Sequence, residues 1–149
     1  MRKYQVLLVD DEAEIRDCLQ LLASQSELEF EQASDGEVGL EMILKKSYDC
    51  VVSDIKMPRM NGIEMLKRVR QAGGDVPIVF VSAFATEDFA HQVSEYGAVK
   101  LLHKLEILKV RERIQEAIEL AQELREIHKK NDVIGEEFIQ LLHRTGPGK

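Results

Sequence analysis

Val6-Leu7-Leu8-Val9 is an unbroken apolar run that stops at two acids, Asp10 and Asp11. A run without polar alternation suits a strand covered on both faces, which places it inside a parallel sheet and not at a water-facing edge. The next segment changes period: Ile15, Cys18, Leu19 and Leu22 fall on one side of a helix, and Glu12 and Glu14 lie where the helix dipole favours acids. The pair of signals then recurs. Residues 28–33 read as strand and 36–45 as helix; 50–53 read as strand, with a helix after Asn61-Gly62 that Gly73-Gly74 stops. Residues 77–82, 87–96 and 98–103 read as strand, helix and strand. Strictly alternating strands and helices predict an α/β fold, a doubly wound five-stranded parallel sheet.

The end of the chain departs from this rhythm. From Glu106 to about Lys130 helical spacing continues through Ile107, Val110, Ile114, Ala117, Ala121 and Leu124 without Gly or Pro. At about 1.5 Å per residue this helix spans roughly 37 Å, more than one sheet of this size needs. Those six residues occupy successive a and d positions of a heptad, with His128 at the next a, and predict a homodimer through the C-terminal helix. Asn131-Asp132 and Gly135 are expected to break the helix, residues 136–143 to form a short amphipathic helix, and residues 145–149 to fray. Domain organisation follows: residues 1–120 form one domain and 121–149 a helical extension with its tail.

The chain of 149 residues carries a net charge of −7, which opposes nonspecific attraction to nucleic acid or an anionic membrane. The 44 residues after Leu105 hold 8 basic and 9 acidic side chains, too few and too balanced for direct DNA binding. The charged N-terminal residues run straight into the first strand, so no signal peptide or membrane span is expected. Cys18 and Cys50 have no metal or redox spacing and are expected to be small buried apolar residues in a reducing, cytoplasmic setting. The histidines likewise share no metal spacing.

In an open α/β sheet the C-terminal strand ends and the loops leaving them form the functional edge. Asp10 and Asp11 follow the first strand, Asp54 the third, Ser82 the fourth and Lys104 the fifth. Oxygen-only ligation by clustered acids suits a hard divalent ion such as Mg²⁺, which also neutralises the carboxylates' mutual repulsion. An Asp kept ionised in this way is a nucleophile toward phosphorus, with Lys104 as cation and Ser82 as hydroxyl donor for the transferring oxygens.

The stretch Val6-Leu7-Leu8-Val9-Asp10-Asp11-Glu12, the motif Asp54-Ile55-Lys56-Met57-Pro58-Arg59-Met60-Asn61-Gly62, the pair Ser82-Ala83 and Lys104 resemble, in order and spacing, the receiver domain of bacterial two-component response regulators. The resemblance covers about residues 4–120 and implies the flavodoxin-like receiver fold. It implies Asp54 as phosphoacceptor, a sensor histidine kinase as donor, an unidentified downstream protein as target, and Ser82 and Lys104 on the phosphoryl oxygens. It also implies Mg²⁺ held by Asp11, Asp54 and the Lys56 backbone carbonyl, with Asp10 acting partly through water. Lys56 and Phe84 resemble positions that set water access to the aspartyl-phosphate. Two positions depart from the family pattern: Leu101 replaces the usual switch aromatic, and Leu105 replaces the Pro after the Lys. Both bear on how the signal is transmitted, not on the acceptor itself.

Two other functions remain in view. A phosphorylation-independent dimerisation module, a pseudo-receiver, is compatible with Leu101 and Leu105. A Mg²⁺-dependent phosphohydrolase would use Asp54 as nucleophile but needs a second acid two residues later, where Lys56 stands. The expectation is therefore a phosphoacceptor and not an enzyme with a substrate of its own. No phosphate-cradling G-x-x-x-x-G-K-[ST] or G-x-G-x-x-G occurs.

Overall fold

A computed structural model describes residues 2–83, 87–97 and 99–144. Strands β1 (Tyr4–Val9), β2 (Leu28–Ala33), β3 (Cys50–Asp54), β4 (Ile78–Ser82) and β5 (Val99–His103) alternate with helices α1 (Ala13–Ala23), α2 (Gly36–Lys45), α3 (Gly62–Gln71), α4 (Glu87–Val93) and α5 (Val110–Arg144). The five strands form one parallel sheet in the order β2-β1-β3-β4-β5. β1 is thus interior, as its continuous apolarity requires, and β3 is the middle strand.

Alternation of side chains along each strand divides the core in two. Leu7, Val9, Val51, Ile78 and Phe80 face Met65, Leu66 and Val69 of α3 and Phe89 of α4. Val6, Leu8, Val52, Val79 and Val81 face Leu19 and Ala23 of α1 and Ile114 and Ala117 of α5. Both faces of β1, β3 and β4 are closed, so the strand ends are what remains open to chemistry.

Several boundaries differ from the expected ones. Residues 94–96 leave α-geometry for one 3-10 turn after α4, and residues 104–109 form a 3-10 turn before α5, with Glu106 at φ −105° and ψ 22°. Ala98, Phe84 and residues 145–149, which carried expectations for the start of β5, for water access and for a frayed tail, lie outside the described residues. Cys50 is buried as expected, but Cys18 is exposed. The sheet-facing side of α1 is taken by Leu19 and Ala23, with Ile15 and Leu22 half-buried beside them, and Cys18 falls to its flank.

The largest correction concerns the C-terminus. The expected break at Asn131-Asp132 and Gly135 and the separate helix over 136–143 are absent; α5 continues from Val110 to Arg144, about 52 Å. Asn, Asp and Gly each cost only about 0.5–1 kcal/mol inside a helix and remove no backbone donor, as proline would. The six residues expected to join a second subunit also have another role. Val110, Ile114, Ala117 and Ala121 are buried within their own chain, Ile107 packs on the same core, and Leu124 is half-buried beside Arg70 and Tyr96. Heptad spacing marks an apolar stripe, but the sheet covers this one. Arg111 donates to the Ser24 carbonyl at 3.1 Å and Arg125 pairs with Asp75 at 3.3 Å, fixing α5 on the domain at both ends of that stripe.

A Cβ added at Gly135 meets nothing within 4 Å. Gly135→Ala is therefore expected to stabilise the end of α5 by about 0.5–1 kcal/mol and to raise helix content in far-ultraviolet circular dichroism. A loss of helical signal or of stability, as expected of a glycine that ends a helix with positive φ, would restore the break.

Candidate functional site

The register of the sheet assembles the site from separated residues. Val9 pairs with Ser53, Asp54 with Val81, and Ser82 with His103, so β1, β3, β4 and β5 end almost flush. Asp10, Asp54, Ser82 and Lys104 consequently lie at one sheet edge although 94 positions separate the first from the last. Carboxylate oxygens of Asp10, Asp11 and Asp54 all come within 4.8 Å of one another. An octahedral Mg²⁺ with ligands at about 2.1 Å holds opposite oxygens about 4.2 Å apart, so this all-oxygen set fits such an ion. Asp10 is buried, Asp54 half-buried and Asp11 exposed.

Backbone donors hold the two less accessible acids. The Glu12 N–H donates to Asp10 Oδ1 at 2.9 Å, and the Ile55 N–H donates to Asp54 Oδ1 at 2.8 Å. The Lys56 N–H also reaches the Asp54 carboxylate, which puts the backbone of Lys56 at the site while its side chain is exposed. Ser82 is buried at the end of β4, and Lys104 starts the exposed turn after β5.

Burial raises Asp10 from its usual 3.8 to about 6, with further upward pressure from the Asp54 and Asp11 charges, against the Glu12 N–H and Lys104. Burial likewise pushes Asp54 up, aided by Asp11 and opposed by Lys104 and the two backbone donors. The site is therefore a nest of acids that favours bound positive charge, and Lys104 supplies part of it.

The shape of the 54–62 stretch has local physical reasons. The Asn61 side chain accepts from the Glu64 N–H at 2.8 Å and caps α3. Met57 and Met60 are buried in the core, and Arg59 adopts a left-handed φ of 67°. At Gly62 a Cβ would sit 2.3 Å from the Asp54 carbonyl oxygen and 2.7 Å from the Phe80 ring; only glycine lets α3 start this close to the strand end. Sequence reasoning did not single out Gly62 for that role, nor Arg16, whose Nη1 donates to the Asp10 carbonyl at 2.6 Å and ties α1 to the acidic turn. A Gly at the first helical position was the available signal for the former; none marked Arg16.

The two departures near Lys104 are also visible. Leu101 is half-buried and packs on the core beneath β4, paired in register with Phe80. No described peptide bond is cis, so Lys104–Leu105 is trans, and Leu105 is 90% exposed. His103 caps the turn, its Nδ1 accepting from the Leu105 N–H at 3.1 Å.

Residues 6–119 match the response regulator receiver domain family. Among curated proteins, the transcriptional regulatory protein DltR of Streptococcus agalactiae is 42% identical over 79 residues, covering 53% of this chain and 35% of that protein. The protein-glutamate methylesterase/protein-glutamine glutaminase of Pyrococcus horikoshii is 40% identical over 107 residues, covering 69% of this chain and 29% of its own length. The chain thus spans about a third of these relatives. Among solved structures, a chemotaxis response regulator of Vibrio cholerae superposes with a TM-score of 0.66 at 29% identity, covering 75% of this chain and 98% of that one.

The raised Asp10 carboxyl predicts a pH dependence. Its protonated form is favoured by folding, so the penalty is absent below pH 3.8, grows as pH rises, and is complete above about 6. Asp10→Asn keeps the acceptor for Glu12 and removes the charge. In metal-free buffer at pH 7 it is expected to raise stability by about 3 kcal/mol, a gain that disappears on acidification through that window. Urea unfolding at several pH values measures it, and a pH-independent gain would contradict the electrostatic cause.

Proposed function

This chain belongs to the response regulator receiver domain family of two-component signalling, and from that premise we propose that Asp54 accepts a phosphoryl group from a sensor histidine kinase. The observation that carries the reading is the set of three carboxylates within 4.8 Å at the strand ends, with Lys104 beside them. An Asp54 carboxylate oxygen attacks phosphorus as the bond to the donor imidazole nitrogen breaks, and the imidazole keeps that electron pair. A bound Mg²⁺ supplies positive charge to the transferring oxygens. Asp10, Asp11, Asp54 and the Lys56 backbone carbonyl would hold it. The Ile55 and Lys56 N–H groups orient the Asp54 carboxylate, Lys104 neutralises charge on the phosphoryl group, and Ser82 donates its hydroxyl to a phosphoryl oxygen.

In this reading residues 1–120 are the acceptor unit and 121–149 the extension, the protein acts in the cytoplasm, and its output passes through protein contacts, including a homodimer built on α5. Among the described residues no helix is long and apolar enough to cross a membrane. The phosphohydrolase alternative gains no support, because the side chain two residues after Asp54 is the exposed Lys56 and not an acid. The phosphorylation-independent alternative draws on Leu101, which leaves no aromatic ring to swing at that position.

Incubation with Mg²⁺ and acetyl phosphate is expected to add one phosphoryl mass to the intact protein, and Asp54→Asn to abolish the adduct. Persistence of the adduct in the variant would move the nucleophile elsewhere; its absence in the parent would favour the phosphorylation-independent module. For the metal, Asp11→Ala is expected to weaken Mg²⁺ binding more than Asp10→Ala, since Asp11 is the more exposed direct ligand in this scheme. Equal losses in a Mg²⁺ titration would erase the distinction between the two acids.

A further inference from the structure

Past Arg125 and His128, which still lie beside Asp75 and Tyr96, α5 leaves its domain: residues 125–144 are all exposed, and 129–144 form an overhang of about 24 Å. The overhang is not polar. Ile127, Ile134, Phe138 and Leu141 are 53%, 62%, 60% and 54% exposed, as expected of side chains shaded only by their own helix. With Leu124 and Asn131 they follow a strict alternation of three and four residues: Leu124, Ile127, Asn131, Ile134, Phe138, Leu141. This is a second heptad register, with Leu124, Asn131 and Phe138 at a and Ile127, Ile134 and Leu141 at d. At about 100° per residue it lies roughly a third of a turn around the helix from the face formed by Val110, Ile114, Ala117 and Ala121. The domain occupies one face of α5, and the overhang presents another.

We propose that this second face is the seam of a parallel two-stranded coiled coil with a second copy of the chain. The proposal deepens the dimer in the reading above but is independent of phosphoryl transfer. Asn131 selects both occupant and direction. A lone polar residue at an a position is costly against an apolar neighbour, whereas two Asn side chains facing each other across a parallel axis satisfy each other's amide donor and acceptor. An antiparallel pairing of the same stripe sets Asn131 against Ile134 and leaves the amide unpaired. A foreign apolar helix would do the same. The flanking charges agree with the parallel register: Glu123 at g faces His128 at e of the second copy, while Lys130 faces Gly135 and Glu137 faces Leu142, so no like charges meet. Parallel pairing puts the two acceptor sites at the same end of the coil.

The test uses the full chain in Mg²⁺-free buffer without phosphodonor, so that failure of the Asp54 chemistry cannot affect it. Sedimentation equilibrium is expected to show a dimer. Ile134→Glu should weaken association at least about a hundredfold while leaving the thermal midpoint of the domain unchanged. In a Cys18→Ser background, Phe138→Cys should form an intermolecular disulfide on mild oxidation, because parallel a residues are adjacent; antiparallel helices would hold the two thiols about 16 Å apart along the axis. Asn131→Val should tighten association at least about tenfold and admit larger assemblies. A monomeric parent chain, a dimer indifferent to Ile134→Glu, or a Phe138→Cys dimer that does not cross-link would each overturn the proposal. An Asn131→Val variant no tighter than the parent would overturn the part assigned to Asn131.

Discussion

Repulsion among three carboxylates held at one sheet edge is the term against which this structure is built. Isolated in water, such acids would separate. Here Asp10 and Asp54 are fixed by strand ends whose other residues are closed in on both faces, and Asp11 is carried along by its neighbour. The sheet therefore stores an unfavourable charge arrangement that burial makes worse, raising Asp10 to about 6. Backbone N–H donors and Lys104 offset part of it, and the remainder favours bound positive charge. Affinity for charge and loss of stability have the same source.

The supporting residues follow from the same demand. Gly62 brings the start of α3 into contact with the Asp54 carbonyl, and the Ser53 hydroxyl donates to that same oxygen at 2.8 Å. Arg16 ties the backbone of Asp10 to α1. None of these side chains is placed to carry out chemistry; each restricts where a carboxylate can go. By contrast, the elements that would carry a signal outward are less constrained. Leu101 sits in the core where a rotating aromatic is usual, and Leu105 and Leu108 are highly exposed on the turn after Lys104.

The last helix shows how one element serves two environments. Its first three turns cover the sheet, using Val110, Ile114, Ala117 and Ile118, and the Arg125–Asp75 pair marks where contact ends. Past that point the hydrophobic stripe moves to another side of the helix. A change of stripe within a continuous helix is what a chain needs if its N-terminal part packs against its own domain while the remainder stands free.

Local pattern decided much of this molecule. Continuous apolar runs require strands closed on both faces, and the alternation with helices leaves a doubly wound sheet; Asp10, Asp11, Asp54, Ser82 and Lys104 were legible because each ends or follows a strand. What periodicity cannot specify is which neighbour covers a stripe. The spacing of Val110, Ile114, Ala117 and Ala121 suits a sheet and a second helix equally, and only docking of α5 on β3 and β4 assigned it to the sheet. Cys18 was misplaced for the same reason, since one residue's rotation around α1 depends on how the helix is seated. The break read at Asn131 and Gly135 was a weak local preference, outweighed by an uninterrupted backbone hydrogen-bond ladder. The distances within the acid cluster were likewise set by tertiary structure, because they depend on the register of β1 against β3, two strands that are not consecutive in sequence.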